Sequence, residues 1–390
     1  MQGIFGQVVD GVVHWLLYKK EESDRYQDRV NKMGDDDMNL VIVGAGDVVQ
    51  KRLLPAIVAD RNKTRDSKNE SRLIQLGDVS TGNNSGIRIY VYDKKPVGDI
   101  MSYKVEPVQE MFQKDWDKKH TIGWIATPSD THLSYLVDML WMMDYVVIEK
   151  PLVGSLKEME AIHKILLSDD RNRIFCLSYY VLEKALSLVF LRRKYGFYRR
   201  YLKIAGGKED IRLSSLGYLK TVQIGMIEDS DKRELPVTGN LLDSMIHPCL
   251  IASAFAGKPK GWTAVTVQQN KVLVNNVLVE TIRLEATGKM GTKINFLVQK
   301  GFTEENPKKK QFAVLNFEKG MILSDFDKKR TKIVRDGGRI TEISTREPFT
   351  KPYSIQYDLV KKWVQGVVES RMVDGLYHQM EVLEFLFGLL

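Results

Sequence analysis

An aspartate and a histidine lie one helical turn apart in an otherwise apolar stretch, residues 239–251. The spacing of Asp243 and His247 places both side chains on one helix face. The surrounding leucines, methionines and isoleucines predict a largely buried helix, where unpaired polar groups are costly. A near-neutral imidazole can accept and return a proton, so His247 is a candidate general base. Asp243 would then bind a substrate hydroxyl or support His247; a surface or capping arrangement is the alternative.

A lysine follows directly after a short apolar run at residues 145–149. The ammonium group of Lys150 could donate a hydrogen bond to a reacting oxygen and stabilise charge there. Pro151 fixes the turn, and Glu149 could orient the lysine or contact a ribose. The alternative is a solvated lysine at a strand end. A base and an ammonium group together suit oxidation of a carbinol, which also needs a hydride acceptor facing the C–H bond.

The turn Gly44-Ala-Gly46 follows an apolar, β-branched run at 39–43 and opens a helical pattern. In that context the first glycine permits a sharp turn, and the second lets the backbone approach a pyrophosphate at a helix N-terminus. Val49 occupies the third glycine position of the motif, which is a departure from the pattern. A purely structural turn is the alternative. The cofactor contacts are expected to include the next two residues, Asp47 and Val48.

An acid ends the second apolar run, residues 87–92. At such a position Asp93 can bind the ribose 2′-hydroxyl of NAD. The adjacent Lys94 and Lys95 could instead hold the 2′-phosphate of NADP, or form a solvated turn. The sequence therefore predicts NAD or NADP as cofactor and leaves the choice open.

The glycine turn, Asp93 and Lys150 each follow an apolar run, so they can form one site only in a fold that brings the ends of those strands together. Short apolar runs alternate with helical patterns up to about residue 178, which predicts a parallel sheet with helices on both faces. After about residue 215, segments 218–225, 277–285, 293–299 and 312–317 alternate apolar and polar residues, as half-buried antiparallel strands do. The chain ends in helical patterns at 354–369 and 374–390.

The predicted fold class is an α/β Rossmann domain, a doubly wound parallel sheet, followed by an α+β domain with an open, mainly antiparallel sheet. We expect a helical extension at 1–38, a dinucleotide-binding domain at 39–178, a substrate and oligomerisation domain at 179–352, and C-terminal helices at 353–390 that pack back on the body.

Three segments resemble the motifs of the Gfo/Idh/MocA oxidoreductase superfamily. Residues 125–132 are similar to its "ATP-x-x-x-H" turn, Glu149-Lys150-Pro151 to its "EKP" motif, and residues 239–247 to its "G-x-x-x-D-x-x-x-H" helix. The resemblance covers about residues 39–335. It implies a cis Lys150–Pro151 bond and a sugar, sugar derivative or cyclitol as substrate. It places the following residues along the cofactor or the substrate: Thr127, Pro128, His132, Glu149, Lys150, and Asn240. His132 is otherwise an ordinary histidine at a helix start.

A second resemblance, to glucose-6-phosphate dehydrogenases, rests on residues 44–56 and 178–184. The second segment is similar to their "DHYLGKE" sequence and makes Tyr179, Tyr180 and Lys184 candidate substrate contacts. Ser178 and Tyr179 replace the Asp and His that serve the sugar phosphate in that family. The substrate therefore need not be a phosphate.

The composition disfavours a nucleic-acid-binding protein, a membrane protein and a disulfide-rich protein. The formal charge of +8 comes from basic residues scattered among acids, without a nucleic-acid motif, which favours solvated faces over DNA or RNA binding. No apolar segment has the length of a membrane span. Two distant cysteines, Cys176 and Cys249, predict neither a disulfide framework nor a metal site, and a cytoplasmic location is the default expectation. The family resemblance implies a homodimer or tetramer.

The sequence thus predicts an NAD(P)-dependent enzyme that transfers a hydride to or from a sugar-like hydroxyl. His247 would take the proton, Lys150 would polarise the oxygen, and Asp243 would position the substrate. Two alternatives remain: an enzyme that recycles a tightly bound cofactor in place, and a non-catalytic nucleotide-binding or scaffold protein.

Overall fold

The structure of the chain is a computed structural model. The structure describes residues 38–59, 87–95, 98–167, 172–176, 216–228, 239–274, 277–303, 308–328, 330–344, 351–365 and 376–389.

In the first half of the described chain, six strands form one parallel sheet. They are β1 (Asn39–Val43), β2 (Arg88–Asp93), β3 (Val105–Pro107), β4 (Thr121–Ile125), β5 (Tyr145–Ile148) and β6 (Ile174–Cys176). The order β3-β2-β1-β4-β5-β6 is that of a dinucleotide-binding domain, and it reverses direction between β1 and β4. The apolar run of β1 is buried on both faces, as a central parallel strand requires.

Helices flank this sheet. A helical segment at 47–59, α1, contains a π-helical turn at Val49–Leu53. The others are α2 (Val108–Gln113), α3 (His132–Met142) and α4 (Leu156–Leu166). Ser155 caps α4 by accepting from the Glu158 amide, and the Glu158 carboxylate accepts from the Gly154 amide, so the Ser-x-x-Glu sequence fixes where this helix begins.

The second half of the described chain forms an eight-stranded sheet in the order β14-β13-β12-β11-β7-β10-β9-β8. Its strands are β7 (Leu219–Glu228), β8 (Thr263–Val274), β9 (Val277–Thr287), β10 (Lys293–Lys300), β11 (Lys310–Phe317), β12 (Gly320–Asp325), β13 (Arg330–Arg335) and β14 (Ile340–Ser344). Only β7 and β10 pair in parallel within these described strands; the other neighbours are antiparallel.

Three helices complete the described fold: α5 (Gly239–Ala256), α6 (Lys351–Val364) and α7 (Leu376–Phe387). The apolar helix α5 packs on β7 and β10, and α7 packs on α5. Helix α6 returns to the first domain, where Trp363 contacts the rings of Tyr145 and Phe175. No described helix is both long and apolar enough to cross a bilayer.

The predicted fold class is confirmed. The sequence patterns did not indicate β3, α2, β8 or the strands β12 to β14. For β8 the reason is that this edge strand is mostly exposed, so its sequence lacks the alternation that identifies a half-buried strand.

Candidate functional site

The glycine turn lies at the reversal point of the parallel sheet, against the end of β4. Gly44 has φ +102°, and a Cβ there would lie 2.5 Å from the Ala126 carbonyl oxygen, so only glycine fits. Gly46 is exposed, and a Cβ there would meet nothing within 4 Å. The space in front of Gly46 is what backbone approach to a pyrophosphate requires.

The valine at the third glycine position is accommodated by the helix. Val49 is completely buried, and the π turn of α1 begins there. The neighbouring Val48 is half-buried, and the exposed Asp47 pairs with Lys51 one turn later at 2.7 Å. Of this segment, only residues 46–48 therefore remain accessible to a ligand at the helix start.

The acid after β2 is bound to the glycine turn. The Ala45 amide donates to Asp93 Oδ2 at 2.7 Å, and the Lys95 amide donates to Oδ1 at 2.8 Å. Asp93 thus holds the glycine turn beside the end of β2, where the adenosine ribose of a dinucleotide lies in this topology. Each carboxylate oxygen retains a second lone pair for a ribose hydroxyl. Lys94 and Lys95 are both exposed.

The turn after β4 is held by its own side chains. Thr131 Oγ1 donates to the Pro128 carbonyl at 2.7 Å, and His132 Nε2 donates to the Thr127 carbonyl at 2.8 Å. His132 is almost fully buried, and this burial lowers the pKa of its imidazole. The structure therefore gives His132 a contact that shapes the Thr127–Pro128 turn, while Thr127 and Pro128 themselves stay accessible.

The two charged residues at the end of β5 occupy different surroundings. Glu149 is buried, and Trp124 Nε1 donates to its Oε1 at 3.2 Å. Burial raises the pKa of Glu149 to about 7, against the opposing effects of Trp124 and Lys150. The buried Gln356 side chain of α6 lies close to the carboxyl and also favours its ionised form. Glu149 is thus enclosed beneath α6.

Lys150 is half-buried and precedes Pro151 through a cis peptide bond, as the family resemblance implied. Its ammonium group lies near Glu228 at the end of β7 and helps to hold the pKa of that carboxyl below its usual range. The Lys150 ammonium group is therefore within electrostatic range of the end of β7 in the second sheet.

The helix of the predicted Asp-x-x-x-His pair forms as expected. His247 is buried in α5, and Pro248 lies inside the same helix. The backbones of Asn240 and Asp243 belong to α5, but their side chains lie outside the described residues. The candidate substrate contacts Tyr179, Tyr180 and Lys184 also lie outside them. Those assignments stay predictions.

Glu228 and Lys300, which pair with each other at 2.5 Å at the ends of β7 and β10, were not predicted from the sequence. Both end strands of alternating pattern, and a charge at a strand end is ordinarily solvated, so the sequence carried no distinguishing signal. Among the described residues, no group of three or more His, Cys, Asp and Glu side chains could hold a metal ion.

Solved structures with the same fold were found. A UDP-N-acetylglucosamine 3-dehydrogenase from Acidithiobacillus ferrooxidans aligns with TM-score 0.60 and 14% identity over 90% of this chain and 95% of its own. A biliverdin reductase from Synechocystis, solved with biliverdin and NADP+, aligns with TM-score 0.59 and 13% identity over 90% and 97%. A Gfo/Idh/MocA family oxidoreductase from Vibrio cholerae gives TM-score 0.54 and 12% identity over 90% and 96%.

No protein-family model and no curated protein sequence matches the chain. At these low identities the structural likeness establishes the fold. The resemblance to the Gfo/Idh/MocA superfamily, first seen in short motifs, is confirmed at that level.

Proposed function

We propose that this chain is an NAD(P)-dependent oxidoreductase that transfers a hydride to or from a hydroxyl-bearing carbon of a sugar, sugar derivative or cyclitol. The observation that carries the proposal is the placement of Lys150. It directly follows β5 of a dinucleotide-binding sheet and is half-buried, and its ammonium group is close enough to the second sheet to lower the pKa of the Glu228 carboxyl. A substrate held between a nicotinamide and the second sheet would meet this ammonium group.

The dinucleotide would be held by residues around the glycine turn. The open space at Gly46 admits the pyrophosphate, Asp93 offers acceptor oxygens to the adenosine ribose, and Thr127 lines the end of β4. When bound, the nicotinamide accepts or donates the hydride.

The side chains supply the proton chemistry. In the oxidation direction, the substrate carbon would lose its hydride to the bound cofactor, the hydroxyl proton would pass to the His247 imidazole, and a carbonyl would form. Lys150 donates a hydrogen bond to the reacting oxygen throughout, which stabilises the negative charge that develops there. Asp243 holds a neighbouring hydroxyl or orients His247.

The first experiment is a substrate panel with NAD and with NADP, followed by the absorbance of reduced nicotinamide. It should contain free sugars, cyclitols, sugar phosphates and nucleotide sugars. Biliverdin belongs in the panel because a biliverdin reductase shares the fold. Turnover of a sugar or cyclitol supports the proposal, whereas turnover of biliverdin alone contradicts the substrate class.

Two variants test the assigned roles. We expect Lys150→Ala and His247→Ala each to lower kcat by about 10²-fold or more, the usual contribution of a positioned proton-transfer or charge-stabilising group. Lys104→Ala and His120→Ala are matched controls, because both residues directly precede their strands, β3 and β4, and so lie at the edge of the parallel sheet opposite to the carboxyl ends. Full activity in either test variant would remove that residue from the mechanism.

The tightly bound cofactor and the scaffold alternatives make different predictions. If the purified protein retains a nicotinamide dinucleotide after extensive dialysis, this would support an enzyme that reoxidises or reduces its tightly bound cofactor without releasing it. Protein that binds NAD(H) but turns over no member of the panel would support the non-catalytic alternative.

A further inference from the structure

Lys150 extends from a segment of the chain that is otherwise buried. Within residues 146–154, Lys150 is half-buried and every other residue is buried. A Cβ on Gly154 would lie 3.2 Å from the Asp130 amide nitrogen, so the chain after Lys150 packs against the turn that follows β4. The direction of the Lys150 side chain therefore depends on how the buried residues on both sides of it are held.

Glu149 is the ionisable residue in this buried segment. The residues after the lysine, Pro151 to Val153, are apolar, so their burial is favourable by itself. Glu149 is only 5% exposed, and its carboxyl has lost water that a hydrogen-bond partner must replace. Of the two sides of Lys150, the side at Glu149 therefore depends on a polar contact.

The indole of Trp124 makes such a contact. Trp124 Nε1 donates to Glu149 Oε1 at 3.2 Å. The tryptophan is fully buried on β4, where its backbone pairs with Ile42 of β1 and Val147 of β5. Because close packing and two neighbouring strands confine the indole, its N–H is a fixed donor in the core. The buried N–H in turn needs an acceptor, which Glu149 provides.

The backbone of Glu149 is held by the same strand. Its amide donates to the Ile125 carbonyl at 2.9 Å, so hydrogen bonding between β4 and β5 continues one residue beyond the end of β5. Strand β4 thus holds Glu149 twice, through a carbonyl and through an indole. The indole contact suits both protonation states of the carboxyl, because each retains an oxygen that can accept a hydrogen bond.

We propose that Trp124 is a positioning residue for the proposed reaction: its indole N–H holds the Glu149 carboxyl in the core, and this fixes the point from which Lys150 extends toward the substrate. This proposal rests on the proposed function, in which the Lys150 ammonium group stabilises the reacting oxygen. Trp124 is fully buried and acts only through its neighbour. A lysine that begins at a fixed point has fewer orientations to lose when it meets the reacting oxygen.

Trp116 offers a matched comparison in the same domain. It is also buried, and its Nε1 donates to the Met111 carbonyl at 2.9 Å. Its ring packs against Tyr90 and Tyr92 of β2, and the strands β1 and β4 separate β2 from β5. Replacement by phenylalanine at either tryptophan removes one buried indole hydrogen bond, but only the one at Trp124 involves the residue before Lys150.

Hydrogen exchange of the Glu149 amide tests the contact without turnover. Wild type, Trp124→Phe and Trp116→Phe are compared at one pH by deuterium exchange with residue resolution, and the amides of β1 report opening of the whole domain. We expect Trp124→Phe to speed exchange of the Glu149 amide about fivefold relative to β1, the factor that corresponds to one hydrogen bond. Trp116→Phe should leave that ratio unchanged.

Acetylation of Lys150 measures the consequence for the lysine. Brief labelling with acetic anhydride, quantified by peptide mass spectrometry, should give about threefold more product at Lys150 in Trp124→Phe, because a half-buried side chain gains exposure when its segment opens locally. The exposed Lys104 and Lys258 serve as references. Unchanged exchange or unchanged labelling in Trp124→Phe would overturn the proposal, and so would equal rises in Trp116→Phe.

Two substitutions of Glu149 separate the hydrogen bond from packing. Glu149→Gln retains an oxygen that accepts the indole N–H, so exchange and labelling should stay near their wild-type values. Glu149→Leu fills a similar volume without an acceptor and should reproduce the effects of Trp124→Phe. Wild-type behaviour of Glu149→Leu would contradict the proposal, because the carboxyl would then not be needed to hold the segment.

Where a substrate is found, kinetics add a further criterion. Trp124→Phe should lower kcat about tenfold while the Kd for NAD(H), from fluorescence titration, stays within about twofold. A normal kcat would contradict a positioning role. Failure of every substrate would count against the proposed function alone, because exchange and labelling need no turnover.

Discussion

At the residue scale, two consecutive charged side chains at the end of β5 have opposite surroundings. β5 ends at Ile148, so both residues lie in the segment that follows it. Glu149 is buried beside Trp124, while Lys150 stays half-exposed. One buried carboxyl beside one accessible ammonium group leaves only the lysine available to a ligand.

The raised pKa of Glu149 makes a prediction about stability. Because the folded-state pKa, about 7, lies above the ordinary value of 4.5, the folded state retains a proton that the unfolded chain has lost. The stability associated with the protonated carboxyl is fully present below pH 4.5 and is lost as the pH rises to about 7. This amounts to roughly 3 kcal/mol.

Glu149→Gln should remove this dependence. We expect the variant to be more stable than wild type at pH 8, with the difference vanishing near pH 4.5. Urea unfolding of both proteins at several pH values measures it. A difference that is constant with pH would mean that Glu149 is ionised in the folded protein throughout.

At the scale of elements, the strand-turn-helix unit β1–α1 contains two glycines, Gly44 and Gly46, whose backbone conformations and surroundings differ. Gly44 is required by the fold, because its backbone is left-handed and it abuts Ala126. Gly46 has no such neighbour, so the fold tolerates a side chain there. Under the proposed function, a glycine at position 46 lets the backbone approach a pyrophosphate.

The two alanine variants should therefore separate folding from binding. Gly44→Ala should lower the unfolding free energy by about 2 kcal/mol or more, through backbone strain and the clash with Ala126. Gly46→Ala should change stability by less than about 1 kcal/mol, yet weaken NAD(H) binding about tenfold or more.

Thermal unfolding and fluorescence titration of NADH measure the two effects. Unchanged NADH affinity in Gly46→Ala would argue against a pyrophosphate at this turn.

At the scale of the whole molecule, the helices α6 and α7, which follow the second sheet, pack against the first domain. Trp363 of α6 is buried and packs edge-on against Tyr145 at 5.2 Å between ring centroids, and obliquely on Phe175 at 5.1 Å. On the surface of α4, His163 Nε2 lies 2.8 Å from Glu384 of α7. The two helices that follow the second sheet, α6 and α7, thus both contact the first domain.

Removal of the buried ring should weaken this connection. We expect Trp363→Ala to lower the unfolding free energy by about 3–5 kcal/mol, the usual cost of deleting a buried tryptophan. Trp141→Ala is the matched control, because that side chain is 75% exposed and should cost less than about 0.5 kcal/mol. Denaturant unfolding followed by circular dichroism compares them, and equal losses would contradict the packing described for α6.

Features that depend on local patterns could be predicted from the sequence. Apolar runs identified the strands β1, β2 and β5. The glycine turn, Lys150 and the helix of Asp243 and His247 were identified because each combines a residue type with a fixed local spacing. The edge strand β8 was missed, since an exposed strand has no buried face to impose alternation.

Contacts between side chains that are distant in the sequence follow from the tertiary fold. It placed Asp93 on the amide of the glycine turn, and His132 on the carbonyl of Thr127. It also brought Glu228 near Lys150, although 78 positions separate them in the sequence. Burial and pairing are set by strand order and helix packing over such separations, and no local spacing encodes them; the surroundings of the lysine became visible only in the folded chain.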